Sequence, residues 1–246
     1  MNKKKFNRVL VVLGGKSGER AVSLESGRAC IKALKKKGYK VSTFDPKFKN
    51  FNLINSKNID VIFNALHGRD GEDGVAQSYF EYLKIPYTHS GVISSFTAMN
   101  KLFFKKIFIK NKIKTPKYFS INSLEFRKNI LKKLIFRSGL EFPMIVKPSN
   151  EGSSIGVKIC QNFNVLKKNI NVLLKSYKTL IIEKYIGGRE IQVAVMNGKA
   201  LGAIELRPKR KFYDFKAKYS KSANTKHIMP ANLSKKKYKE VLSLAK

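Results

Sequence analysis

An alternation of short apolar runs with one helical pattern most constrains the fold, and it occupies residues 9–65. Residues 9–13 are apolar and end at Gly14-Gly15, a helical period follows over residues 23–37, and residues 39–44 and 59–65 are again typical of strands. Strand–helix–strand at this spacing predicts a parallel sheet with right-handed crossovers. Ligands of such sheets lie beyond the carboxyl ends of the strands, where Gly14-Gly15 and His67-Gly68 stand.

A second informative region joins an apolar run, residues 142–146, to a loop of small residues. Lys147 directly follows the run, and the loop after it contains Gly152, Ser153, Ser154 and Gly156. Glycine permits positive φ, loop amides can point at an anion, and lysine supplies a compact positive charge. These features predict a phosphate-binding loop. The spacing matches neither the P-loop nor the dinucleotide fingerprint, and a plain hairpin explains the loop equally well.

Length and composition set the broad class. The 246 residues predict one or two domains, or three small ones, and a hydrophobic share of 43% is enough for a folded core. No apolar run approaches the roughly 18 residues of a membrane span, and the stretch after the basic N-terminus is too short for a signal peptide. We therefore expect a cytoplasmic protein without membrane contact. Cys30 and Cys160 form no CxxC pair, which argues against a disulfide framework or a zinc site.

The formal net charge of +35 is extreme. A basic domain has the electrostatic footprint of nucleic-acid binding, but that interpretation needs clustered charge. The lysines are instead spread along the whole chain, in a composition also rich in Asn, Ile and Phe. Compositional drift is therefore favoured over specific nucleic-acid binding, although the charge would still attract anionic substrates such as nucleotides.

Four motifs stand in one order, and that order is more specific than any single motif. They are Gly-Gly-Lys-Ser-Gly-Glu-Arg-Ala-Val-Ser at residues 14–23, His-Gly-Arg-Asp-Gly-Glu-Asp-Gly at 67–74, the loop at 147–156, and the aromatic segment at 212–219. The whole chain resembles the D-alanine–D-alanine ligase family of the ATP-grasp superfamily. The resemblance implies an α/β fold: a Rossmann-like parallel-sheet domain (1–91), then ATP-grasp α+β subdomains, a central one (92–186) and an incomplete C-terminal one (187–246).

The resemblance also implies a reaction and its residues. ATP phosphorylates the carboxylate of one D-alanine, the amine of a second attacks the acyl phosphate, and the dipeptide enters peptidoglycan precursors. Glu19 would anchor the first ammonium group, His67 would lie near the first carboxylate, and Ser153 and Tyr219 would complete a hydrogen-bonded set with Glu19. The implied ATP-binding residues are Lys101 and Lys147 at the phosphates, with Ser154 beside them, Glu183 and Tyr185 at the adenine, Glu190 at the ribose, and Lys218 at a phosphate or product. Each residue also has an ordinary structural explanation, such as a helix-start glutamate for Glu19 or a solvated charge for each lysine.

Two departures from the family pattern qualify this assignment. Asn100 stands where the family usually has an acid before the first phosphate lysine. The family also continues beyond residue 246 with acidic strands that bind Mg²⁺ or Mn²⁺, so we expect no metal ligand within this chain and an inactive enzyme as it stands. Alternatives are another ATP-grasp carboxylate–amine ligase and a non-catalytic basic binding protein. The oligomeric state is open, with a homodimer as one alternative.

Overall fold

The computed structural model describes residues 6–124, 126, 128–210 and 213–246, and they form two compact units. The first unit extends to Phe104 and includes Ser149–Gly152; the second comprises Lys105–Pro148 and Ser153–Lys246. This division by contacts is coarser than the predicted boundaries at residues 91 and 186, which stay a prediction.

The first unit is built on a three-stranded parallel sheet, as the alternation of strands and helix predicted. Its order is β2-β1-β3, with β1 in the centre. The elements are β1 (Arg8–Val12), α1 (Arg20–Lys36), β2 (Lys40–Phe44), β3 (Val61–Asn64), α2 (Val75–Tyr82), α3 (Val92–Met99) and the first turn of α4 (Lys101–Lys110).

Alternation along β1 divides the core of this unit into two layers. Val9 and Val11 pack in one cluster with Leu34 of α1, whereas Leu10 and Val12 pack in the other with Phe80 of α2. Successive strand side chains point to opposite faces, and a parallel sheet covered on both faces has apolar residues on both. Packing on both faces therefore fixes the position of β1, and Gly14 and Gly15 follow its carboxyl end.

The second unit contains two antiparallel sheets. The larger has the order β4-β7-β5-β6 and is covered by α5 and α6, with a core that includes Leu131, Val146 and Ile170. The smaller has the order β10-β9-β8. The elements are β4 (Tyr118–Asn122), α5 (Lys128–Ser138), β5 (Met144–Pro148), β6 (Lys158–Cys160), α6 (Phe163–Leu173), β7 (Thr179–Lys184), β8 (Glu190–Met196), β9 (Lys199–Arg207), α7 (Phe215–Tyr219), β10 (Lys226–Ile228) and α8 (Lys235–Ala245).

Local differences from the sequence patterns have physical causes. Residues 94–110 are rich in helix-forming residues but do not form one helix: α3 and α4 are separated at Asn100, whose side-chain oxygen accepts hydrogen bonds from Leu102 N and Phe103 N. Asparagine is a favourable N-cap residue, and Asn100 caps the start of α4 in this way. None of the helices in the described part of the chain has both the length and the hydropathy needed to cross a bilayer.

Candidate active site

Glu19 is buried at the start of α1, with 3% of its surface exposed. Its carboxylate makes no capping hydrogen bond to the helix. It lies instead against two glycines: a Cβ at Gly68 would stand 2.5 Å from Glu19 Oε2, and one at Gly152 would stand 3.0 Å from it. Three of the four motifs therefore meet at this carboxylate. A buried carboxylate at the carboxyl end of a parallel sheet is suited to binding an ammonium group.

The first glycine pair is held by polar contacts that bridge the sheet and α1. Gly14 N donates to Ser23 Oγ (2.8 Å), Gly15 N donates to Asp45 Oδ1 (3.0 Å), and Arg20 forms an ion pair with Asp45 at 2.8 Å. The Arg20 guanidinium and the backbone amides together hold the pKa of Asp45 below its usual value, against the opposing effect of burial. Gly14 has φ +87°, and a Cβ there would lie 2.5 Å from Asp45 Oδ2. The turn that precedes Glu19 is thus rigidly built.

His67 lines a cavity of about 410 Å³. Its Nε2 lies 3.1 Å from Ser26 Oγ, and its Nδ1 lies 3.7 Å from Glu72 Oε1. Burial raises the pKa of Glu72 above its usual value. Among the described residues that line the cavity, Glu19 is absent. The Ser17 side chain instead connects the backbones of the two residues, since Ser17 Oγ donates to His67 O and accepts from Glu19 N.

Lys101 lies at the start of α4 beside the loop segment of the first unit. Its backbone N donates to Ser149 O (3.0 Å), and its Nζ donates to Glu151 O. Burial raises the pKa of the Glu151 carboxyl, and the charge of Lys101 opposes that rise. The lysine therefore contacts the glycine/serine-rich loop, and its phosphate-binding role stays a prediction.

The rest of the loop belongs to the second unit and has the conformation that its small residues predicted. Ser153, Ser154 and Gly156 all have positive φ, at +47°, +62° and +72°. Ser153 Oγ lies 2.7 Å from Tyr219 Oη, and Ser154 Oγ donates to Tyr213 O (3.0 Å). Half of the expected Glu19–Ser153–Tyr219 set is therefore formed within this unit. The link to Glu19 would join the two units and stays a prediction.

Lys147 lies at the end of β5 and faces β7. Its Nζ contacts Glu183 Oε1, while Lys105 Nζ lies 2.9 Å from Glu183 Oε2. Only 7% of the Glu183 side chain is exposed. Two cations thus share one buried carboxylate, which leaves this part of the unit with a net positive charge.

The remaining predicted ATP-binding residues lie around the end of β7 and the segment that follows β9. Tyr185 is half-buried and donates its backbone N to Pro143 O (3.1 Å). Lys218 Nζ lies 5.2 Å from the centre of the Tyr213 ring, a cation–π contact. Burial raises the pKa of Tyr213, and the nearby charge of Glu190 adds to that rise. Tyr213 is therefore close to both Glu190 and Lys218 and brings two predicted residues together. Phe212 of the fourth motif lies outside the described residues.

Sequence patterns missed two residues of this region, Lys105 and Tyr213. Lys105 lies four residues after Lys101 within a lysine-rich helix, so its sequence gave no sign of its burial. Tyr213 precedes the short helix Phe215–Tyr219, and no pattern distinguishes it from the other aromatic residues of the fourth motif. Within the described part of the chain, no three His, Cys, Asp or Glu side chains group closely enough to hold a metal ion.

Family models and curated relatives of this chain carry the name D-alanine–D-alanine ligase. The model described as D-ala D-ala ligase C-terminus matches residues 107–246, and the one described as D-ala D-ala ligase N-terminus matches residues 42–90. A D-alanine--D-alanine ligase of Pelagibacter ubique is 53% identical over 239 residues, which cover 97% of this chain and 77% of that protein.

Solved structures give the same result for the fold. The D-alanine--D-alanine ligase of Bacillus anthracis superposes with a TM-score of 0.83 and 34% identity, covering 97% of this chain and 76% of that one. The structure of that ligase complexed with ATP gives a TM-score of 0.75 at 30% identity, with the same coverage of both chains. With the parallel and antiparallel sheets, the buried Glu19 and the glycine/serine-rich loop in place, this chain belongs to the D-alanine–D-alanine ligase family of ATP-grasp proteins.

Proposed function

We propose that this chain carries out the ATP-dependent ligation of two D-alanines, through an acyl phosphate, to D-alanyl-D-alanine for peptidoglycan precursors. The observation that carries the proposal is the buried Glu19 carboxylate, against which the second motif and the glycine/serine-rich loop both pack. The family relationship supports it, since the relatives at 53% and 34% identity bear the name D-alanine--D-alanine ligase.

The chain's own residues suit the steps that such a reaction requires. Glu19 is a buried anion able to hold the ammonium group of the first D-alanine while the carboxylate of that D-alanine is phosphorylated. Positive φ at Ser153, Ser154 and Gly156 turns the loop so that amides and hydroxyls can surround an anion. Lys147 supplies positive charge where that loop begins, and Lys101 supplies it beside Glu151 of the loop. Holding the reactants in place and excluding water protects an acyl phosphate from hydrolysis.

ATP is proposed as the phosphoryl donor, with Glu183 and Tyr185 on the adenine side, Glu190 at the ribose and Lys218 at a phosphate or product. The cationic cluster at Glu183 and the cation–π contact of Lys218 with Tyr213 fit a triphosphate nucleotide. Mg²⁺ or Mn²⁺ is expected for the complete reaction. The described residues provide no three-ligand cluster for it, so we assign no metal ligand and derive no step through a metal.

The test measures ADP release in the presence of D-alanine or of L-alanine, and D-alanine binding by calorimetry. Binding is expected to require the D-isomer. ADP release should require it too and should be slow, because the sequence predicts no metal ligand within this chain. Glu19→Gln should weaken D-alanine binding by at least about tenfold, because it removes one charge-assisted contact. Glu25→Gln, at an exposed position of the same helix, is the matched control and should leave binding unchanged.

Two outcomes would contradict the proposal. If neither alanine isomer affects ADP release and neither binds, the chain does not recognise the proposed substrate. If another amino acid supports faster ADP release than D-alanine, the chain is an ATP-grasp ligase of a different carboxylate–amine pair, which is the alternative that the sequence left open.

A cytoplasmic location is proposed because ATP and free D-alanine are available there. A homodimer is proposed on the exposed apolar side chains of α2 and α3: Tyr82 is 83% exposed, Ile93 81% and Phe96 51%. Contiguous exposed apolar surface is typical of interaction sites. Light scattering after gel filtration should give the mass of two chains for the wild type, and Ile93→Glu should shift it to one; a wild-type mass of one chain would refute this part.

A further inference from the structure

The cluster of Lys105, Lys147 and Glu183 contains a cation that the proposed reaction does not use. Glu183 of β7 lies opposite Ile145, and Lys147 of β5 lies opposite Ile181, so the two are diagonal neighbours on one face of the sheet. Lys105 reaches the same carboxylate from α4. The Lys105 side chain is 8% exposed, and that of Lys147 is 20% exposed. Lysine is almost never this buried unless it is paired.

The two lysines are held to different degrees. Lys105 Nζ donates to Thr115 Oγ1 (2.8 Å) and Pro116 O (3.0 Å) in addition to its contact with Glu183, and it lies 4.7 Å from the centre of the Tyr118 ring. An ammonium group has three donors; Thr115 and Pro116 accept from two of them, and the ion pair with Glu183 adds electrostatic attraction. Lys105 is therefore fixed where it is and cannot turn towards a phosphate.

Lys147 has a different position, because it ends β5 where the glycine/serine-rich loop begins. If it turned towards a phosphate, it would leave Glu183 Oε1, and a buried carboxylate that loses its partner is strongly destabilised. Lys105 would still neutralise the carboxylate from Oε2. A carboxylate accepts at four sites, so Oε1 could then accept a hydrogen bond from an amino group.

We propose that Lys105 is a positioning residue for ATP, which holds the Glu183 carboxylate in place and oriented towards the adenine amino group while Lys147 moves to a phosphate. This inference rests on the proposed function, since it assumes that ATP occupies the unit. Burial lowers the pKa of Lys105, and the Glu183 carboxylate opposes that effect, which is consistent with a mutually dependent pair.

The test compares binding of ATP with that of purine riboside triphosphate, which lacks the 6-amino group, to the full chain by equilibrium dialysis. The wild type should prefer ATP by about tenfold, the size expected for one hydrogen bond to a charged group. Lys105→Met should reduce that preference to less than about twofold, because Glu183 is no longer held. Lys110→Met, at an exposed position of α4, is the matched control and should keep the preference.

A double-mutant cycle separates positioning from a merely structural role. In a Glu183→Gln background, adding Lys105→Met should change ATP affinity by less than about twofold, because Lys105 acts through that carboxylate. The double variant removes the two most buried charges of the cluster together, so it remains informative if Lys105→Met alone does not fold.

Several results would overturn the inference. Equal loss of affinity for both nucleotides in Lys105→Met, or the same loss in the Glu183→Gln background, would show that Lys105 does not act through Glu183. If Lys105→Met binds both nucleotides as the wild type does, the inference fails while the proposed function stands. If the wild type binds neither nucleotide, the proposed function itself fails.

Discussion

Ile170 is the position at which the support of the phosphate-binding strand can be measured most directly. It is fully buried in α6, which lies on the sheet that contains β5 and therefore Lys147. Ile170→Ala removes three buried carbon atoms, each contributing about 0.8 kcal/mol of transfer free energy. The cavity left behind adds about 1 kcal/mol, so we expect the free energy of unfolding to fall by about 3 kcal/mol.

The assay is urea unfolding followed by far-UV circular dichroism, since the chain has no tryptophan to report by fluorescence. With a slope of about 2 kcal/mol per molar urea, the midpoint of the second unit's transition should fall by about 1.5 M. Val172→Ala is the matched control, because Val172 is 55% exposed on the same helix and gains similar helix propensity. Its unfolding free energy should change by less than about 0.5 kcal/mol.

The reasoning would be refuted if Ile170→Ala and Val172→Ala shifted the midpoint equally. It would also be refuted if the loss for Ile170→Ala were below about 1 kcal/mol, since burial of α6 would then not stabilise the sheet. ATP affinity of the folded Ile170→Ala chain should match that of the wild type, because Ile170 supports the strand without contributing a polar group to the site.

Three further changes test other parts of the structure. Gly156→Ala should weaken ATP binding and destabilise the second unit by about 1–2 kcal/mol, measured by dialysis and urea unfolding, because φ is +72° and a Cβ would lie 2.8 Å from Pro148 Cγ; wild-type behaviour would contradict the loop geometry. Two flanking arginines lower the pKa of Glu205 to about 2 from 4.5, so its stabilising effect should be complete above pH 4.5 and be lost as the pH falls towards 2. Glu205→Gln should flatten the pH dependence of the urea midpoint in that range, and an unchanged profile would show that Glu205 is not the cause of that dependence. Burial raises the pKa of the Cys160 thiol, so iodoacetamide at pH 8 should alkylate half-buried Cys30 first, as peptide mass spectrometry would show; equal rates would contradict the burial of Cys160.

The parallel sheet of the first unit could be predicted because local patterns determine it. Residues 9–13 are apolar on both faces, the helix that follows is amphipathic, and a right-handed crossover is almost obligatory between such elements. The same holds for β8 and β9, whose alternation and Asn197-Gly198 turn define a hairpin. Boundaries shifted by a few residues where side chains compete with the pattern, as at Asn100.

The site could be predicted only where residue type and motif coincide. Motifs singled out Glu19, Ser153 and Tyr219, and their roles stay predictions; the structure adds the burial of Glu19 and the Ser153–Tyr219 hydrogen bond. The direction of His67 towards Ser26 could not be predicted, because a rotamer depends on neighbours that are distant in sequence.

The amino-acid sequence by itself determined the order of strands and helices, the glycine-rich turns and the family, since each depends on residues close together in the chain. Only the tertiary structure decided which lysines are buried. Lys105 and Lys110 occupy the same helix and have the same chemistry, yet Lys105 is buried beside Glu183 while Lys110 is exposed. The difference arises because β7 places a carboxylate under one turn of α4, a pairing across nearly eighty residues that no local pattern records.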